Sequence, residues 1–225
     1  SGGGRGPSRS LGQVANPGDR VSPGNLLASG GEGLDTMPMP YSSTLANHFL
    51  IAMPGLRDPN FSRTVTYVCE HTEQGAMGIV INRPMEIRLG EILEQLDIEV
   101  LDPGALDNPI YLGGPVQTDR GFVLHTEGET YDSTLNIAPN ICVTTSRDVL
   151  EAIAAGKGPA SRLIALGYAG WGGGQLEQEM VSNAWLSGPA DGDILFRVPA
   201  GRRWQAAASL LGVDLNLMSA EVGHA

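Results

Sequence analysis

The apolar stretches of this chain are short, β-branched and punctuated by glycine and proline, and that limits what it can fold into. Asn47 to Met53 (NHFLIAM), Thr64 to His71 (TVTYVCEH) and Met77 to Asn82 (MGIVIN) are bounded by Pro54, Gly75 and Pro84, the pattern of short strands rather than long helices. The link Thr72 to Ala76 is of hairpin length and contains Gly75, which favours antiparallel pairing of its two strands. Leu89, Ile92, Leu93 and Leu96 then fall at i, i+3, i+4 and i+7, one apolar stripe of an amphipathic helix. No run approaches the roughly 18 to 20 apolar residues that span a bilayer as a helix. No membrane partner is therefore expected.

Further along, Pro109 to Leu112, Gly121 to Thr126 and Ile141 to Thr145 read as strands, with Gly113-Gly114-Pro115 as a turn between the first two. A helix follows with Ser146 as N-cap, Val149, Leu150 and Ile153 inward, Gly156 as stop and Pro159 beyond. Arg162 to Tyr168 reads as a buried strand feeding the run Gly170-Trp171-Gly172-Gly173-Gly174, and a helix from Gln175 to about Asn183 comes next. Trp185-Leu186, Asp193 to Val198 and a helix from about Arg202 to Leu211 close the chain. An antiparallel start with helices inserted singly fits α+β better than an alternating doubly wound sheet.

Charge narrows the partners. The 225 residues carry 25 acidic and 14 basic side chains, a formal net charge of −11, and Lys157 is the one lysine. That balance repels phosphates, so direct binding of duplex DNA is not expected. The glycine-rich stretch Ser1 to Thr36 has no apolar periodicity and cannot offset its ordering entropy. It is expected to be a disordered extension, appended or read from upstream, leaving residues 37–225 as one acidic domain. There is no basic start followed by an apolar stretch such as a secretory signal needs. Cys69 and Cys142, inside apolar runs, are accordingly expected to be reduced and buried in a cytoplasmic protein.

The chemical motifs mostly fail on spacing. Counted from Gly170, a dinucleotide fingerprint needs glycine at 175, where Gln175 stands, and Gly156-Lys157-Gly158 lacks the first glycine and the Ser or Thr of a P-loop. The helix after the glycine run could bind an anion through its free N–H groups, or Glu177 at its third position could cap it. No histidine or cysteine pair has ligand spacing, so no metal site is expected. Cys69 and His71 are i and i+2 on one strand, hence on one face, with Glu70 opposite, and His125 ends another strand. A thiol nucleophile with an imidazole base is one reading; a small core cysteine beside a strand-capping histidine is the other. Arg83, held extended before Pro84, suits a carboxylate or phosphate, or a local bridge to Glu86. Trp171 among glycines either covers the core's edge or lines a pocket.

Several segments together resemble the AlgH/YqgE group of small bacterial proteins. They are NHFLIAMPGLRDPNFSRTV (47–65), GAMGIVINRP (75–84), YLGGPVQTDRGFVLH (111–125), TTSRDVLEAIAAGKGP (144–159) and LGYAGWGGGQLEQEMVSNAWL (166–186). The resemblance implies an α+β fold in which a split, strongly bent, mainly antiparallel sheet forms a barrel-like body with helices outside. It also implies a bacterial cytoplasmic protein that needs no metal or cofactor. Members carry a label as regulators of alginate biosynthesis, with no agreed activity or catalytic residues to transfer. Two readings therefore stand. One is a non-enzymatic regulatory module taking a small polar ligand or a protein partner in a cleft of Asn82, Arg83, Gly113, Gly114, Trp171, Gly172, Gln175 and Glu177. The other is a thiol-dependent hydrolase or transferase centred on Cys69 with His71 and His125.

Overall fold

A computed structural model describes residues 44–220; the expected extension 1–36 lies outside them. In chain order the elements are β1 (His48–Ala52), β2 (Val65–Thr72), β3 (Gly75–Val80), β4 (Pro84–Arg88) and α1 (Leu89–Gln95). A short 3-10 turn (Pro103–Ala105) leads to β5 (Pro109–Leu112), β6 (Val116–His125), β7 (Thr134–Ala138), β8 (Ile141–Thr144) and α2 (Arg147–Ala154). The chain continues through β9 (Arg162–Gly172), α3 (Gln175–Val181), β10 (Trp185–Pro189), α4 (Gly192–Phe196), α5 (Ala200–Leu210) and α6 (Leu215–Ala220).

The strands form one curled sheet in the order β10-β1-β2-β3-β9-β6-β8-β7, with β5 pairing β9 and β4 attached to β5. The architecture is the expected α+β half-barrel with helices packed around it. Thr72 and Gly75 face each other across the β2–β3 hairpin, so that link is antiparallel as its length predicts. β9 is the spine. Its first half lies between β5 and β6, and its last residues pair with β3, Trp171 opposite Ala76 and Gly170 opposite Met77. The pairing of β5 with β9 is parallel, the one departure from antiparallel order among the described residues.

Three apolar clusters follow from the alternation of strand faces. Inside the curl, Phe49, Tyr67, Cys69, Leu124 and Val143 pack together and are closed off by Ile194 of α4 and Trp204 of α5. Under α1 and α2, Leu89, Leu93, Val149 and Ile153 meet Ile110 and Ile164. Beneath α3, Phe61, Trp171, Trp185 and Leu176 form a third cluster with Leu50 and Val68.

Four local readings are corrected. The glycine run after Tyr168 is strand up to Gly172 rather than turn, because β3 supplies a paired edge for its backbone. β6 begins at Val116, before the apolar run at Gly121, its first half being exposed. Asp193 to Val198 lies mostly within α4, whose N-cap Asp191 accepts from Ile194 N–H at 3.0 Å. Ser146 does occupy the N-cap position of α2 but makes no capping bond to the helix; its hydroxyl bonds Asp148 and accepts from Ser133 N–H.

Candidate functional site

The Cys69 constellation depends on two-residue alternation along β2, and a bulge interrupts it. Val68 pairs with Gly78 but Glu70 pairs with Met77, so Cys69 is the extra residue and the faces change phase beyond it. Cys69 stays inside the curl beside Tyr67, while His71 lies opposite Ala76, whose side chain belongs to the cluster beneath α3. Burial pushes the Cys69 thiol well up, with Glu70 adding to the rise, and its Sγ meets Tyr67 O at 3.8 Å. Cys142 is likewise buried and unpaired, its thiol raised by burial and directed at Asn136 Oδ1, 3.1 Å away.

Neither histidine has a nitrogen to spare. Leu45 N–H donates to His71 Nδ1 at 2.9 Å, which leaves the ring proton on Nε2 to donate to Glu177 Oε1 at 2.7 Å. His125 is 1% exposed. Its Nδ1–H donates to Thr126 O at 2.8 Å and its Nε2 accepts from Thr144 Oγ1 at 2.8 Å. Thr144 Oγ1 in turn lies 2.7 Å from Thr134 Oγ1. The structure does not bring Cys69, His71 and His125 together as nucleophile and base.

The eight cleft residues divide into two groups. In the first, Asn82 braces the neighbouring loop, its Oδ1 accepting from Val65 N–H at 2.9 Å and its Nδ2 donating to Arg63 O at 2.9 Å. Arg83 donates from Nη1 to Pro59 O at 2.7 Å and from Nη2 to Ser62 O at 3.1 Å. Burial lowers its guanidinium, with Asp58 opposing. Gly113 and Gly114 sit beside Arg83, since Leu112 N–H donates to Arg83 O at 2.8 Å and Val80 N–H to Gly113 O at 2.8 Å. Their lack of side chains serves the approach of β9: an added Cβ would stand 2.3 Å from Gly167 O at Gly113 and 2.1 Å from Tyr168 C at Gly114.

The second group is the anchor of α3. Trp171 does not stand on a glycine turn; it is 4% exposed in the cluster beneath α3. Its Nε1–H and that of Trp185 both donate to Glu179 Oε2 at 2.9 Å, while Gln175 Nε2 donates to Glu179 Oε1 at 3.0 Å. Gly172 N–H donates to Gln175 Oε1 at 3.1 Å. Gly174 is the N-cap with φ of 74°, and Glu177 sits at the third helical position. The Glu177 carboxyl is held below its ordinary value first by its own backbone N–H, with burial opposing and His71 assisting. Phe61 separates the two groups. Its ring lies 6.1 Å from that of Trp171, and the next residue, Ser62, accepts from Arg83.

Sequence reasoning missed three participants. Glu179 carries no local sign of its role, because a glutamate beside Glu177 in the first turns of a helix reads as a solvated charge. Arg63, at φ 58°, lays its guanidinium 4.8 Å from the centre of the Trp204 ring. Arg203 is 5% exposed. It donates to Val198 O at 2.8 Å and to Ile81 O, and lies over Tyr111. A separate cleft of about 380 Å³ is lined by Asn140, Ser161, Asp191, Asp193 and Arg197 among others, and none of the eight residues borders it. Among the described residues no three His, Cys, Asp or Glu are grouped to hold a metal ion, and no helix is long and apolar enough to cross a membrane.

The profile of the AlgH-like family matches residues 49–216. A UPF0301 protein of Thioalkalivibrio sulfidiphilus is 60% identical over 187 residues, 83% of this chain and 100% of that protein. The solution structure of AlgH from Pseudomonas aeruginosa superposes with a TM-score of 0.67 at 56% identity, covering 84% of this chain and 100% of that one. A crystal structure of a Corynebacterium diphtheriae protein shares the fold, with a TM-score of 0.62 at 20% identity over 80% of this chain and 94% of its own.

Proposed function

The chain belongs to the AlgH-like family, and from that premise we propose that it is a non-enzymatic regulatory module of the cytoplasm that works by binding a partner around Arg83. One observation carries this reading. The Arg83 guanidinium is half-buried and fixed by two backbone carbonyls, with no carboxylate within ion-pair distance among the described residues. Asp58 acts on it electrostatically, but a cation immobilised on carbonyls is still prepared for an incoming acceptor at little entropic cost. The reading is further supported by the placement of Cys69, whose thiol is raised by burial and whose two expected partners are engaged elsewhere. A role in transcriptional control, which the resemblance implies, would then run through a bound partner rather than through contact with a duplex.

Co-purification from the source cell with the full chain as bait, quantified by mass spectrometry, tests the proposal. Arg83→Gln should deplete the retained set and Cys69→Ala should leave it intact. The opposite pattern would favour a thiol-dependent hydrolase or transferase.

A further inference from the structure

We propose that the arginine-bearing end of the half-barrel recognises an acidic peptide segment of a protein partner, an inference that rests on the binding-module reading above. Three segments meet there: the loop 53–64 between β1 and β2, residues 81–83 after β3, and the first turn of α5. Their contacts are direct. Asn82 Nδ2 donates to Arg63 O, Arg83 donates to Pro59 O and Ser62 O, and Arg203 of α5 donates to Ile81 O. Of the 14 basic residues in the chain, five lie in these segments, Arg57, Arg63, Arg83, Arg202 and Arg203, against one carboxylate, Asp58. On a chain of net charge −11, this is a concentrated patch of the opposite sign.

The cations also lack an ion pair among the described residues, although Asp58 acts on Arg83. Arg147 and Arg197 each pair with a carboxylate four residues away, at 2.8 Å and 3.3 Å. Among the described residues, Arg63, Arg83 and Arg203 have no carboxylate oxygen within 4.0 Å. Arg63 is laid on the Trp204 ring, which is itself anchored by Nε1–H to Ala52 O at 2.9 Å. Arg203, beneath the surface, adds positive potential that no ligand needs to touch. Two guanidinium groups, Arg63 and Arg83, are thus held in place from different anchors; Arg63 presents its fork to a carboxylate, and Arg83, whose Nη1 and Nη2 each already donate to a carbonyl, adds its charge and its remaining N–H groups.

The same geometry chooses among anions. The two guanidinium groups rest on separate supports, one on an indole ring and one on loop carbonyls, which suits several carboxylates along a chain better than one small oxyanion. A duplex would extend past the patch into the acidic remainder of the surface, where it is repelled. A short acidic segment covers the arginines and no more.

Fluorescence anisotropy of the full chain with a labelled oligoglutamate peptide at low ionic strength tests this. An oligolysine peptide of equal length, inorganic phosphate as competitor and a DNA duplex provide the other arms. Oligoglutamate should bind in preference to oligolysine and weaken as salt is raised. Arg63→Glu should reduce affinity about tenfold or more, and Arg83→Gln should weaken it as well, whereas Arg147→Gln should leave it unchanged. Arg63 is exposed, so its replacement separates recognition from folding, and a thermal melt of each variant checks this. Equal binding of the two peptides, no effect of Arg63→Glu, competition by phosphate as strong as that of unlabelled peptide, or tighter arginine-dependent binding of the duplex would each overturn the inference. Failure of the peptide arm together with a partner set still lost on Arg83→Gln would leave the module reading standing without its acidic partner.

Discussion

Glu179 shows how much of this molecule's order rests on single polar atoms. One carboxylate oxygen, in a residue 7% exposed, accepts two indole N–H groups, and the other accepts Gln175. Buried acceptors lose more when a donor is removed than the bond is worth net. Trp171→Phe keeps an aromatic ring against Phe61 and Trp185 but withdraws one donor, and it should cost about 1–3 kcal/mol. Thermal unfolding should therefore shift down by roughly 2–4 °C for each kcal/mol lost, the scale for a domain of this size. The sequence placed Trp171 beside glycines and left open whether it covered core or lined a pocket. Its burial depends on a glutamate eight positions away and a tryptophan on another strand, pairings that no local pattern encodes.

At the scale of elements, β1, β2 and β5 were legible as short, nearly continuous apolar runs, since β1 and the first half of β2 are buried on both faces, and the cores of α1, α2 and α3 because each buries one stripe. What escaped has little to bury. β4 and β7 hold only exposed and half-buried residues, and the bulge in β2 arises from pairing with β3, so Cys69 and His71 read as neighbours until the partner strand is known. The start of α2 offers a test. Burial tends to raise the Asp148 carboxyl, but bonds from Ser146 and from the backbone N–H groups of Asp132 and Val149 outweigh it, leaving it below its ordinary value of 3.8. A depressed folded-state value stabilises the fold above about pH 4, and the contribution is lost as pH falls through the lowered value. Asp148→Asn should cost about 0.5–2 kcal/mol near neutrality, the range for a capping interaction. Denaturant melts of the two proteins should converge as the pH drops below about 4. A gap that stayed constant on acidification would mean the carboxylate charge is not what holds the helix start.

Over the whole molecule, the half-barrel was legible through the family resemblance, while the distribution of charge was not. Arg63, Arg83 and Arg203 are spread over 140 positions of sequence and come together only because β1, β2 and β3 lie side by side with α5 across them. Arg83 stood out in the sequence, with Glu86 as one local partner; the structure holds its guanidinium on Pro59 and Ser62 instead. On the proposed reading the protein acts through its cationic surface at Arg63 and Arg83 and not through its enclosed thiol. The most direct test is the rate of Cys69 alkylation in the native full chain as a function of pH, read by mass spectrometry of the labelled peptide. Almost no labelling is expected near neutral pH, and full labelling once the chain is unfolded, because the thiol is buried and raised. Labelling within seconds at neutral pH, with a rate that titrates below the ordinary thiol range of about 8.5, would contradict that reading.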